Sequence, residues 1–131
     1  MPPLQEVLYS SLLAPDQSTR VVGQIVTRAR ARNQQEGITG LLVFDGLRFC
    51  HHFEGAPPAV GALLDRLQAD RRHVDLRVLY AGPLATRRYQ RFEMGLAEVD
   101  DHEDLADLQA LEGSAALAHF IALRSRFDIS G

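Results

Sequence analysis

The sequence predicts an α+β fold: a ferredoxin-like βαββαββ sandwich, with two helices on one face of the sheet and a helical tail at the C-terminus. Three observations lead to this prediction. Runs with apolar residues at every second position are separated by stretches whose apolar residues recur at helical spacing. The dipeptide Asp45-Gly46 lies between two apolar runs, which indicates a tight hairpin. The 131 residues, 46% hydrophobic and 24% charged, have the composition of a globular protein.

The chain begins with a predicted strand and a predicted helix. Leu4–Ser11 alternates and predicts the first strand, which the turn residues at 14–16 end. The first helix is predicted from about Thr19 to Gln34, with Ser18 as its cap and Gly37 as a left-handed stop. Its apolar stripe, at i, i+3, i+4 and i+7, is Val22, Ile25, Val26 and Ala29.

Two further strands surround the hairpin dipeptide. Ile38–Phe44 is almost continuously apolar, which predicts a strand buried on both faces. Leu47–Glu54 alternates, and the face that carries Phe49 and Phe53 is apolar except for His51. A polar ring in a buried row is compatible with a chemical site and with a core histidine that has its hydrogen bonds satisfied. Considered alone, the residue favours the second interpretation.

The second half of the sandwich is predicted to contain one helix and two strands. The second helix follows Gly55–Pro58 and ends at Asp70–His73. Leu76–Ala81 is predicted as the fourth strand, ended by Gly82-Pro83, and Phe92–Ala97 as the fifth. The apolar stripe of the second helix is Val60, Leu63, Leu64 and Leu67.

The expected packing makes the first and third strands central, parallel neighbours, with both helices on one face. Tyr9 can then lie within hydrogen-bond reach of His51, under the helix that ends in Arg32 and Asn33. Those two helix-end residues are equally compatible with a last turn that lies in solvent. Four polar groups between two helices and a sheet would favour a ligand site.

Charge and composition exclude several classes of function. The net charge is −3 and the basic residues are scattered, so we expect neither a nucleic-acid partner nor a membrane surface. We find no span long enough to cross a bilayer and no signal-peptide pattern at the N-terminus. The single cysteine, Cys50, excludes an intrachain disulfide, and we expect a cytoplasmic location.

The residues give little support for an enzymatic function. His51 and His52 are adjacent in a strand, so they point to opposite faces and cannot chelate a metal together. The sequence has no glycine-rich phosphate loop and no nucleophile with a convincing base. We therefore expect neither a metal site nor an enzyme.

A series of short motifs resembles a known family, the BLUF domains, which are blue-light sensors that use a flavin. The resemblance runs in order and spacing from about Leu4 to Leu96. It rests on Leu8-Tyr9-Ser10-Ser11, Ala31-Arg32-Asn33, the run 37–42, Phe49, Glu54-Gly55, the run 70–73, Arg87-Arg88-Tyr89, Phe92 and Met94.

The resemblance implies an isoalloxazine ring held between the two helices, with FAD expected before FMN. By this resemblance, Tyr9 would give an electron and a proton to the excited flavin. Asn33 would bind the polar edge of the ring, and Arg32 would contact the ring or a phosphate. The other implied contacts are Ile25, Ala29, Phe49, Arg72, His73 and Met94.

The sequence departs from the family at His51. The family has a glutamine there, which bridges the tyrosine and the flavin and whose rearrangement is the light signal. Neutral imidazole also has one donor and one acceptor, so His51 could link Tyr9 to the N5/O4 edge of the flavin, but a rigid ring cannot reverse as an amide does. It can also become a cation, which would add a pH dependence.

Two hypotheses follow from this departure. The first is a single-domain photoreceptor with a photocycle altered by His51; the second is a BLUF-fold interaction module whose flavin site is empty or photochemically silent. We divide the chain into a flavin-binding part, residues 1–98, and a helical extension, residues 99–131, which predicts helices at Asp101–Glu112 and Ser114–Arg126. The extension packs on its own sheet or serves other copies and partners. We expect an unknown downstream protein and a homo-oligomer.

Overall fold

The structure is a computed structural model that describes residues 3–90 and 94–129. Within these ranges it contains five strands and four helices. They are β1 (Leu4–Leu13), α1 (Val21–Glu36), β2 (Thr39–Phe44), β3 (Arg48–Gly55), α2 (Pro57–Ala69), β4 (His73–Leu84), β5 (Gly95–Glu98), α3 (His102–Gln109) and α4 (Gly113–Arg124). This order confirms the predicted α+β class. The predicted start of the fifth strand, Phe92, lies outside the described residues.

The strands form one sheet in the order β4-β1-β3-β2-β5. β1 pairs antiparallel with both β3 and β4, β2 pairs antiparallel with β3, and β2 pairs parallel with β5. The prediction that β1 and β3 are parallel was wrong. The hairpin makes β3 antiparallel to β2, and the α1 crossover makes β1 parallel to β2, so β3 must run opposite to β1.

Several predicted boundaries differ from the structure, among them the end of β4 and the start of α1. β4 continues through Gly82 and Pro83 to Leu84, because β4 lies at the edge of the sheet, where a proline can be tolerated. Helix α1 begins at Val21, and its N-cap residue is Arg20 rather than Ser18. The Ser18 hydroxyl accepts the Arg20 N–H at 3.2 Å, and so closes a turn just before the helix. Gly37 does end α1, with φ of 70°.

Apolar residues cover both faces of the sheet. On one face, Val22 and Val26 of α1 and Val60 and Leu63 of α2 pack on the central strands. On the other face, a cluster from α3 and α4 packs on the sheet. This cluster unites Leu8, Leu41, Val43, Cys50 and Leu79 with Leu105, Leu108, Ala116 and Phe120. The two tail helices therefore lie on their own sheet, whereas the division of the chain at residue 98 stays a prediction.

In the ranges that the structure describes, every helix is too short or too polar to cross a membrane.

Candidate functional site

A cavity of about 190 Å³ lies between α1, α2 and the sheet. It is lined from three directions, because α1 packs on β2 and β3 and α2 packs on β1 and β3. All ten residues predicted to bind a cofactor lie around it: Tyr9, Ile25, Ala29, Arg32, Asn33, Phe49, His51, Arg72, His73 and Met94. The structure thus brings the predicted residues together in one place, whereas their roles toward a ligand stay a prediction.

Tyr9 and His51 form the centre of the cavity floor. They are paired across the β1–β3 ladder, and the Tyr9 hydroxyl lies 3.2 Å from His51 Nδ1. Both side chains are buried. Burial raises the pKa of the Tyr9 hydroxyl, so Tyr9 stays protonated. Burial, with smaller contributions from the nearby His52 and His73, lowers the pKa of His51 to about 3, so the ring is neutral.

These protonation states fix the direction of the hydrogen bond. A buried hydroxyl requires an acceptor, and a neutral imidazole has one acceptor and one donor. Tyr9 therefore donates to Nδ1 of His51, and the ring proton is on Nε2. Among the described residues Nε2 has no hydrogen-bond partner, although it is buried. An acceptor supplied by a ligand in this cavity would satisfy that N–H group, whose desolvation is otherwise unfavourable.

His73 lines the cavity, and both of its ring nitrogens have partners within the protein. Its Nε2 lies 2.6 Å from the Leu67 carbonyl oxygen, and its Nδ1 lies 2.8 Å from the Ser11 hydroxyl. A carbonyl can only accept, so Nε2 donates to it and Nδ1 accepts the Ser11 proton. Because the protein uses both ring nitrogens, His73 can meet a ligand in the cavity through its ring carbons alone. It joins the end of α2 to β1.

The rim of the cavity is basic. Arg28, Arg32, Arg66 and Arg72 all line it. Two of the four are held by carboxylates: Arg72 pairs with Asp70 at 2.5 Å, and Arg66 pairs with Glu36 on α1 at 3.0 Å. The hydrogen bond from Arg72 lowers the pKa of Asp70. Four guanidinium groups around one opening favour a ligand with an anionic part.

Part of the cavity wall is apolar. Phe49 stacks on Phe44 with ring centroids 4.6 Å apart, and Met94 is buried in the same cluster. Arg30 of α1 donates to the Met94 carbonyl oxygen at 2.9 Å, which holds α1 against the start of β5. Ile25 and Ala29 form the α1 side. Such walls suit a planar aromatic ring.

Six lining residues were not predicted as site residues: Arg28, Leu42, Leu63, Arg66, Leu67 and Asp70. Leu63 and Leu67 were assigned to the core stripe of α2, and Leu42 to a buried strand. Arg28 lies one helical turn before Arg32, so the same helix face could have indicated it. Arg66 carries no comparable signal in the sequence.

Comparison with known proteins gives a match to a family model. The model of the family BLUF, "Sensors of blue-light using FAD", matches residues 4–95. Among characterised proteins, the blue light- and temperature-regulated antirepressor BluF of Escherichia coli (strain K12) is 29% identical over 108 residues, which are 82% of this chain and 27% of that protein. A photoactivated adenylate cyclase subunit alpha-like protein FB of Euglena gracilis is 33% identical over 56% of this chain and 7% of its own length. The chain thus spans about a quarter or less of these two relatives.

Solved structures show the same fold. The dark-state structure of the BLUF protein BlrB has a TM-score of 0.73 and 27% identity, with 84% of each chain covered. The BlrP1 BLUF structure has a TM-score of 0.72 and 30% identity, over 86% of this chain and 78% of that one. Klebsiella pneumoniae BlrP1 with FMN and cyclic diGMP has a TM-score of 0.68 and 34% identity, over 74% of this chain and 26% of that one. The family model matches well over half of the chain, and this chain therefore belongs to the BLUF family of blue-light sensors.

Proposed function

We propose that this chain binds a flavin, FAD before FMN, between α1 and α2, and that it senses blue light through Tyr9 and His51. The observation that carries the proposal is His51 Nε2, a buried ring nitrogen in the cavity lining that has no hydrogen-bond partner among the described residues. Family membership supports the class of ligand, since the family is described as using FAD and a BlrP1 structure contains FMN.

The lining residues fit a flavin. The ring of a flavin has carbonyl and ring-nitrogen acceptors at one edge, which match a donor at His51 Nε2. The side-chain amide of Asn33 lines the same cavity and is a group that can hydrogen-bond the polar portion of the ring. Ile25, Ala29 and Phe49 provide apolar surface for its faces. The arginine rim suits the phosphate of FAD or FMN, which riboflavin lacks.

A bound flavin would supply absorption of blue light and, once excited, an acceptor for an electron. Tyr9 is placed to be the donor, and its hydroxyl proton already lies on the hydrogen bond to His51 Nδ1. His51 can take that proton at Nδ1 and release another from Nε2, so its ring relays a proton without rotating. The lowered pKa of His51 disfavours the doubly protonated ring. An amide, by contrast, would have to rotate or tautomerise.

The proposed output is a protein partner rather than catalysis by this chain. The E. coli relative is named as an antirepressor, and the Euglena relative is named as a photoactivated adenylate cyclase subunit alpha-like protein. This chain spans a small part of each, and it adds two helices to the sheet face opposite the cavity. We propose that the light signal passes from the sheet through these helices to a downstream protein or to another copy of the chain.

A variant that fills the cavity, compared with a matched control, tests the proposal. Ala29→Trp would fill the α1 side of the cavity, whereas Ala31→Trp adds the same side chain on the exposed face of the same helix. The measurement is flavin binding by fluorescence quenching with FAD, FMN and riboflavin. We expect wild type and Ala31→Trp to bind the two phosphorylated flavins more tightly than riboflavin, and Ala29→Trp to bind all three at least about tenfold more weakly. Equal binding by Ala29→Trp and wild type would contradict this site.

A further inference from the structure

A second tyrosine–histidine pair lies on the opposite face of β3, one residue from His51. The ring of His52 is fully buried, and its Nδ1 lies 2.6 Å from the Tyr89 hydroxyl. Its Nε2 lies 2.8 Å from Glu6 Oε1 on β1. Successive residues of a strand point to opposite faces, so two Tyr–His pairs share one stretch of backbone.

Unlike His51, His52 has both ring nitrogens satisfied. Arg88 donates to both carboxylate oxygens of Glu6, at 2.9 and 3.3 Å. Burial alone would raise the pKa of Glu6, but the hydrogen bonds from His52 and Arg88 lower it, so Glu6 is a carboxylate. His52 Nε2 therefore donates to Glu6, and Nδ1 shares a hydrogen bond with the Tyr89 hydroxyl. These hydrogen bonds connect β1, β3 and residues 88–89, and they occupy both ring nitrogens of His52.

The pair reaches the C-terminal helix. The His52 ring meets Phe120 of α4 edge to face, with centroids 5.4 Å apart, and the guanidinium carbon of Arg124 lies 5.3 Å from the centroid of Tyr89. Tyr89 belongs to the segment after β4. The N–H groups of Arg88 and Tyr89 donate to the buried Glu54 of β3 at 2.7 and 3.4 Å. The segment is thus attached to β3 on both sides of Phe53, and α4 rests on the segment.

We propose that His52 and Tyr89 are positioning residues that carry the state of β3 at His51 to α4. The proposal rests on the proposed function, because a light-induced change at His51 is the event to be transmitted. His51 and His52 share a peptide unit, so a shift or twist of the backbone at His51 displaces the His52 ring. The ring is hydrogen-bonded at both nitrogens and packed against Phe120 of α4. Its displacement therefore moves Tyr89 and the surface on which α4 packs. A packed group of this kind transmits a small shift instead of absorbing it.

The test follows the exchange of backbone amides in α4 by mass spectrometry, in flavin-loaded protein kept dark or held under blue light. The variant is Tyr89→Phe, which removes one hydroxyl and keeps the ring. The control is Tyr80→Phe, at a partly buried tyrosine packed on the same cluster. Arg124→Gln is a second variant, which removes the contact with Tyr89 from the α4 side. It leaves every buried side chain unaltered. None of these residues lines the cavity.

In wild type and Tyr80→Phe we expect illumination to change exchange across Gly113–Arg124 on the order of fivefold. In Tyr89→Phe and Arg124→Gln we expect less than half of that change, with the flavin absorbance change of the same samples unaltered. A wild-type absorbance change without any change in α4, or a full change in α4 of Tyr89→Phe, would overturn the coupling alone. Absence of a flavin band or of a light-induced absorbance change would overturn the proposed function and the coupling together.

Discussion

Tyr9 and His51 lie directly opposite each other in the antiparallel β1–β3 pair, and the Tyr9 hydroxyl donates to His51 Nδ1 across 3.2 Å. The same register places Leu8 opposite His52 on the other face. One strand pairing therefore builds both the floor of the cavity and the buried group under α4. A slip of one residue would exchange the two faces and destroy both.

Tyr9→Phe should remove the light response and keep the flavin. The ring and its packing remain, but His51 Nδ1 loses its donor, which should lower the free energy of unfolding by about 1–3 kcal/mol. Light-minus-dark absorbance spectra check the first effect and urea unfolding the second. A Tyr9→Phe protein with the full wild-type light response would remove Tyr9 from its proposed role.

His51→Gln should produce or enlarge a red-shifted photoproduct. Glutamine has one donor and one acceptor end that can be exchanged by rotation, whereas the imidazole is rigid. The measurement is the light-induced difference spectrum, compared with that of wild type at equal flavin occupancy. An unchanged spectrum would count against His51 as the switch position.

The stability of wild type should fall as the pH is lowered from about 6.5. The pKa of His51 is about 3 in the folded chain, against an ordinary value of 6.5, so the unfolded chain binds a proton that the folded chain does not. Within this window the free energy of unfolding should decrease by up to about 1.4 kcal/mol per pH unit. Urea unfolding at pH 6.5 and pH 5 measures the decrease.

His51→Gln is the control for this pH dependence, since it removes the titrating ring. The carboxylates with lowered pKa values, Glu6 and Asp70, protonate below the ordinary carboxyl range, outside the window. If the free energy of unfolding changed equally with pH in wild type and in His51→Gln between pH 5 and 6.5, His51 would be accessible to protons in the folded state.

Gly40 should tolerate no side chain. A Cβ at this position would overlap the His52 carbonyl oxygen and lie 2.9 Å from Phe53 Cα, so β2 and β3 would have to separate beside the site. Gly40→Ala should destabilise the protein by on the order of 3 kcal/mol. Gly23→Ala, on α1 with open space around it, should stabilise by about 0.5 kcal/mol. Thermal unfolding of the two variants measures both effects on stability. A Gly40→Ala protein as stable as wild type would show that β2 and β3 are less closely packed than described.

Alternation and helical spacing were sufficient to bring Tyr9, His51 and Asn33 together, whereas most other cavity contacts were implied by the family resemblance. The period of two put Tyr9 and His51 on the helix-covered face, and the α1 stripe led to Asn33 at its end, which is buried. Strand direction was missed because the pairing of β1 with β3 was considered without the direction that the hairpin imposes. The extent of β4 was missed because the position of a strand in the sheet decides whether it can contain a proline.

Apart from Tyr9 and His51, the long-range side-chain pairs could not be predicted. The Ser11–His73 hydrogen bond depends on the register of β1 with β4, which a bulge interrupts. Arg66 belongs to the cavity because of how α2 lies against α1, and a charged residue on an amphipathic helix is usually solvated. His52 was placed on the correct face, but its partners Glu6 and Tyr89 come from distant parts of the chain.

The most direct measurement is the visible absorption spectrum of the purified protein, supplied with FAD, before and after blue light. Sensing through Tyr9 and His51 predicts a flavin band that changes on illumination and returns in the dark. No flavin band with FAD, FMN or riboflavin would contradict flavin binding in this cavity, and a band that light leaves unchanged would contradict the sensor.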